Sequence, residues 1–89
     1  MEAIRWAAEN GYHDIDTATS DEMLAWKEPD WDFPSVIGVK VWRQDGLNVG
    51  IHDMFVAERR YGNGSPYGPR GYGATMVAAL ADLAPENTL

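Results

Sequence analysis

Eighty-nine residues with 45% hydrophobic, 24% charged and 11% aromatic side chains describe one small folded domain with a thin core. The absence of cysteine excludes disulfides, iron–sulfur clusters and thiolate zinc sites, and no apolar run approaches the length of a bilayer span. Fourteen acids against seven bases give a net charge of −7, and residues 1–35, with nine acids against two bases, carry all of it. A field of that sign repels a phosphate backbone and attracts basic partners.

Taken in chain order, Glu2 to Asn10 has the spacing of a short helix, with Ile4, Ala7 and Ala8 on one face and Asn10-Gly11 as its stop. Tyr12 to Ala18 shows no period and reads as an extended link. Thr19-Ser20-Asp21-Glu22 matches a capping box and predicts a second short helix to about Lys27, with Met23, Leu24 and Trp26 as its apolar residues. Pro29 and Pro34 bracket an acidic, aromatic loop, Asp30-Trp31-Asp32-Phe33.

Ser35–Arg43 and Leu47–Val56 carry the clearest strand signals, joined through Gln44-Asp45-Gly46. The apolar pattern favours a register that sets Val41 against Val49 and Val39 against Ile51. Ile37, Val39 and Val41 then face the core, while Gly38, Lys40, Trp42, His52 and Met54 share the opposite face. Val56 to Tyr61 extends this strand or forms a third one. Gly62 to Gly73, with its glycines, prolines and tyrosines, reads as a loop, and Ala74 to Ala84 returns to a helical period that Pro85 ends. The expected fold class is α+β, a small antiparallel sheet built on a central hairpin over 35–56, with a third strand to 61, packed by an N-terminal and a C-terminal helix. Residues 1–84 form a single domain and 85–89 a frayed tail.

Catalytic and metal chemistry find little footing. His13-Asp14-x-Asp16 and His52-Asp53 are the histidine-carboxylate pairs, but adjacent residues on a strand point to opposite faces and cannot share one ion. Ser20, Ser35 and Ser65 have no evident base beside them, and the Gly-rich loop lacks the lysine and hydroxyl of a phosphate cradle. The expectation is a protein that is not an enzyme and needs no cofactor or metal. A partner-binding surface is the sharper reading, because acids steer a basic partner in and aromatic anchors supply contact energy. Its candidates are Asp14, Asp16, Asp21, Glu22, Glu28, Asp30, Trp31, Asp32 and Trp42. The alternative is a nucleic-acid-binding module using Lys40, Trp42, Arg43, Arg59, Arg60 and the Gly/Tyr-rich loop.

Trp42 through Ile51 and the closing Gly71-Tyr72-Gly73-Ala74-Thr75-Met76-Val77-Ala78-Ala79-Leu80 give the C-terminal half a look that resembles small phage-borne α/β domains of the ABA-sandwich kind. Those domains imply no assigned chemistry. The strand-to-helix ending is shared in outline with double-stranded-RNA-binding domains, but Ala74, Thr75 and Met76 stand where that family has a basic helix start, which removes its phosphate grip. In charge and size the chain is similar to anti-CRISPR and other counter-defence inhibitors, many of which block a nucleic-acid-binding surface with acidic side chains. That resemblance implies an inhibitor or modulator of a basic, nucleic-acid-handling protein, a nucleic-acid mimic acting in the cytoplasm of a bacterial host without contacting a membrane.

Overall fold

A computed structural model describes residues 2–27, 37–44, 55–62 and 64–83. The elements run α1 (Glu2–Glu9), β1 (Tyr12–Ala18), β2 (Glu22–Lys27), β3 (Ile37–Arg43), β4 (Phe55–Tyr61), β5 (Pro66–Gly73) and α2 (Met76–Ala81). The strands form one five-stranded antiparallel sheet whose spatial order is the chain order, β1-β2-β3-β4-β5. The fold class is therefore α+β as expected, with more strands than the central hairpin and third strand accounted for.

Helix α1 forms where its spacing predicts, burying Ala3 and Ala7. It ends because Gly11 takes a left-handed conformation (φ 88°) that costs a glycine nothing, while the Asn10 side chain donates to the Trp6 carbonyl at 2.8 Å. The turn brings Trp6 onto Tyr12 with ring centroids 5.9 Å apart, and Lys27 of β2 places its Nζ 5.3 Å from the Tyr12 ring. One helix and two strands are tied at that point.

Three sequence expectations need correction. Tyr12–Ala18 is the edge strand β1 and not a link, with two register shifts against β2. Thr19-x-x-Glu22 opens a strand, not a helix: Thr19 Oγ1 accepts from the Asp21 and Glu22 amides at 3.2 and 3.1 Å, and the Thr19 amide donates to the Glu22 carbonyl at 2.8 Å. The same hydroxyl-to-amide chemistry that caps a helix here closes a hairpin. A six-residue helix is marginal alone, whereas β2 gains a ladder on each side. Within the expected Gly-rich loop, Pro66–Gly73 is the strand β5.

The expected hairpin register is also replaced. Val41 pairs with Met23 on one side and Ala57 on the other, and Val39 with Ala25 and Arg59, so both edges of β3 are occupied by β2 and β4. Most of the proposed partner strand, like the 85–89 tail, lies outside the described residues. The face assignment of β3 holds. Val39 and Val41 are buried in the core, and Gly38, Lys40 and Trp42 share the other face.

Both helices cover one side of the sheet. Its core joins Ala3, Ala7, Met76, Ala79, Leu80 and Leu83 of the helical segments to Tyr12, Met23, Ala25, Val39, Val41 and Ala57 of the strands. Small residues set the spacing between the layers. A Cβ at Gly71 would run into the Ala79 carbonyl oxygen, and one at Gly73 would lie 2.6 Å from both Ala78 Cβ and the Ala79 amide. The backbone of α2 therefore rests directly on β5. Thr75 caps that helix by accepting from the Ala78 amide at 3.0 Å, and Asp82 beyond it accepts from the Tyr72 amide at 3.0 Å, which occupies a donor of the edge strand β5.

Candidate functional site

The sheet face away from the helices is laid out by cross-strand rows. Glu22, Trp42, Val56 and Tyr72 form one, from β2 to β5. Thr17, Leu24, Lys40 and Glu58 form the next, and Asp14, Trp26, Gly38, Arg60 and Pro66 the third. The Trp26 ring lies on Gly38, where only a hydrogen leaves room for it. Tryptophans on β2 and β3 and a tyrosine on β5 thus share one surface with Lys40, Arg60 and Arg70.

Glu58 is the pivot of that surface. It is only 3% exposed, and burying a carboxylate without partners is costly. Arg60 donates to its Oε1 from Nε at 3.0 Å and from Nη2 at 2.5 Å, while Arg70 donates to Oε2 from Nε at 3.1 Å. Arg70 also stands 5.6 Å from the Trp42 ring centroid, and Lys40 Nζ stands 5.5 Å from it. Two guanidinium groups, an ammonium and an indole are held together around one buried acid. Arg70 is about half exposed, its side chain retaining 49% of its accessible surface. Beside this cluster an open depression of about 480 Å³ is lined by Asp21, Glu22, Lys40, Trp42, Arg43 and Arg60, among others.

Of the sequence candidates, Asp21, Glu22 and Trp42 are brought together at this depression, where Asp21 approaches Arg43 at 3.9 Å. Asp14 and Asp16 lie on β1, exposed, and form no ion pair among the described residues. They therefore sit apart from Trp42, along one edge of the sheet. Charges on an edge strand also discourage another chain from adding a strand there. Glu28, Asp30, Trp31 and Asp32 lie outside the described residues.

Residues that the sequence singled out for nucleic acid divide between the two faces. Arg59 and Arg60 are adjacent on a strand, so they point oppositely. Arg60 joins Glu58, whereas Arg59 is 5% exposed in the row of Ala25 and Val39, with its Nε and Nη1 buried and without a hydrogen-bond partner among the described residues. Arg70 was expected only as a cation of the Gly/Tyr-rich loop, not on a strand, and Glu58 was missed as a site residue. The alternation of Arg70 and Tyr72 between glycines was the available signal.

A second cavity of about 330 Å³ lies between the helices, lined mainly by apolar side chains with Ser20 and Thr75 at its wall. The Thr75 hydroxyl is already engaged as a helix cap. Among the described residues, no group of three histidine, aspartate or glutamate side chains could hold a metal ion, and no helix is long and apolar enough to cross a membrane.

Charge placement follows from topology. In a sheet whose spatial order is the chain order, the acidic N-terminal stretch lies to one side, and the bases of the charge-balanced remainder lie to the other. The β1–β2 hairpin holds Asp14, Asp16, Asp21 and Glu22 against Lys27, while β3 to β5 hold Lys40, Arg43, Arg59, Arg60 and Arg70 against Glu58. No family model matches this chain, and no curated protein and no solved structure matches it, so its function is argued from these two surfaces.

Proposed function

We propose that this protein is a non-enzymatic binding module that docks through its acidic β1–β2 side on the basic surface of a nucleic-acid-handling protein and modulates it. The mode of action it suggests is that of the counter-defence inhibitors to which its charge and size are similar. One observation carries the reading: Asp14 and Asp16 are exposed along one sheet edge, apart from the bases of β3 to β5. Like charges held apart from their counter-charges form a steering field, and a complementary surface reaches it faster than diffusion alone allows.

The test is a calorimetric titration with an arginine-rich peptide, using the native protein and the variant Asp14→Lys, Asp16→Lys. The native protein should bind with strong salt dependence, and the reversed variant should lose binding at every salt concentration. Undiminished binding by the reversed variant removes the acidic edge as the docking surface.

A further inference from the structure

We infer that the sheet face around Trp42, opposite the helices, binds single-stranded nucleic acid, with the Trp42 ring stacking a base and Lys40, Arg60 and Arg70 contacting the flanking phosphates. This does not rest on the acidic-edge reading, since the two surfaces share none of these residues.

Three features of the face point to that ligand. The first is preorganisation. Arg60 and Arg70 are both pinned to the buried carboxylate of Glu58, so the entropy of ordering two long side chains is already spent in the free protein. Among the described residues Arg70 uses only its Nε on Glu58, which leaves its terminal N–H groups for a ligand on the half-exposed side chain. The second is the pairing of ring and cations. Lys40 Nζ and Arg70 Cζ lie over the indole at 5.5 and 5.6 Å from its centroid, so a base that stacks on the ring takes the place of one of these cation–π contacts and finds the displaced cation beside its phosphate. Tyr72, 44% exposed in the same cross-strand row as Trp42, offers a second ring. The third is the kind of surface. Duplex DNA hides its base faces and is read by an element that enters a groove, whereas unpaired bases stack on rings laid across a sheet.

The net charge of −7 does not forbid this. Strand β1 lies two positions from β3, about 10 Å at the usual strand spacing, while the screening length at physiological salt is about 8 Å. The exposed acids of β1 are therefore largely screened from a strand lying over β3 to β5, while Asp21 and Glu22, nearer by at the depression, are outnumbered there by Lys40, Arg43 and Arg60. An acidic peptide would satisfy the cations but leave the ring without a stacking partner.

Fluorescence anisotropy with a labelled oligothymidylate tests the proposal. Binding should fall with salt with a logarithmic slope of about −2, as three phosphate contacts on a single strand require. Trp42→Ala should weaken binding about tenfold or more, with Trp42→Phe retaining most of it. Arg70→Gln should reduce the slope by about 0.7. Circular dichroism confirms that each variant is folded, and Lys40→Gln, on a half-exposed strand position, is a second variant that leaves the Arg60 and Arg70 hydrogen bonds to Glu58 in place and should likewise reduce the slope by about 0.7. Oligothymidylate binding that is absent at low salt, or unchanged in Trp42→Ala, overturns the proposal. So does equal affinity for a duplex, or for polyglutamate, which would assign the face to charge alone or to an acidic protein. Reversing Asp14 and Asp16 should leave the Trp42 dependence intact, so this proposal and the acidic-edge reading fail separately.

Discussion

Replacing Gly71 by alanine probes the contact on which the helical layer depends. The added methyl would run into the Ala79 carbonyl oxygen and lie 3.0 Å from the Leu83 amide nitrogen and 3.1 Å from the Asp82 carbonyl carbon. All three are backbone atoms, so no side chain can swing aside and α2 must lift from β5 as a unit. A retreat of about 1 Å forfeits a quarter to a half of each dispersion contact it opens, and overpacking of this kind typically costs about 1–3 kcal/mol. Met76, Ala79, Leu80 and Leu83 all bury on that interface, which places the cost at the upper end. A domain of this length has about 4–13 kcal/mol of stability in total, and a loss of about 3 kcal/mol lowers its Tm by roughly 10–20 °C. Gly38→Ala is the comparison. Its methyl would meet the Trp26 ring, a half-buried side chain that can rotate away, and the expected loss is about 1 kcal/mol. Thermal and urea unfolding followed by circular dichroism measures both. Equal stability of Gly71→Ala and the native protein, or a larger loss in Gly38→Ala, would refute the close packing of α2 on β5.

Three further substitutions follow from the polar groups. Arg59→Met replaces a buried guanidinium with two unpartnered nitrogens by an apolar chain of similar length, and urea unfolding should show unchanged or higher stability; a loss above about 1 kcal/mol would mean that the charge is satisfied in solution. The double change Arg60→Ala, Arg70→Ala strands the Glu58 carboxylate and should cost about 3 kcal/mol, with Glu58→Leu added to it restoring much of the loss in the same assay. Thr19→Val removes the acceptor for two turn amides and should cost about 1 kcal/mol, accompanied by faster hydrogen exchange at Asp21 and Glu22; unchanged exchange rates there would contradict the hairpin turn.

How much the sequence revealed tracks how local the deciding physics is. Helix α1 was legible because its spacing and stop act within a few residues, and so was the presence of a last helix, although α2 runs only Met76–Ala81 where Ala74 to Ala84 was expected. The faces of β3 were legible from alternation alone. Met23-Leu24-Ala25-Trp26 was misread because both faces of β2 carry apolar residues, Met23 and Ala25 towards the helices and Leu24 and Trp26 away from them, which erases the period of two. The Thr19-to-Glu22 spacing could not decide, since one hydroxyl bonded to amides two and three residues on serves a helix start and a turn alike. Strand β5 was hidden by Gly71 and Gly73, whose missing side chains are what admit α2. Asp14, Asp16 and Trp42 were named from the sequence, but their separation onto different parts of the sheet depends on strand order, and Glu58 became visible only once Arg60 and Arg70 were seen to converge on it.

The division of one sheet into an acidic edge and a cationic, aromatic face is tested most directly by amide chemical-shift mapping of the labelled protein during two titrations, one with an arginine-rich peptide and one with oligothymidylate. The peptide should shift residues 13–18 on β1, and the oligonucleotide residues 40–42, 58–60 and 70–72. Shifts from both ligands at the same residues, or from neither, would contradict the assignment of separate surfaces.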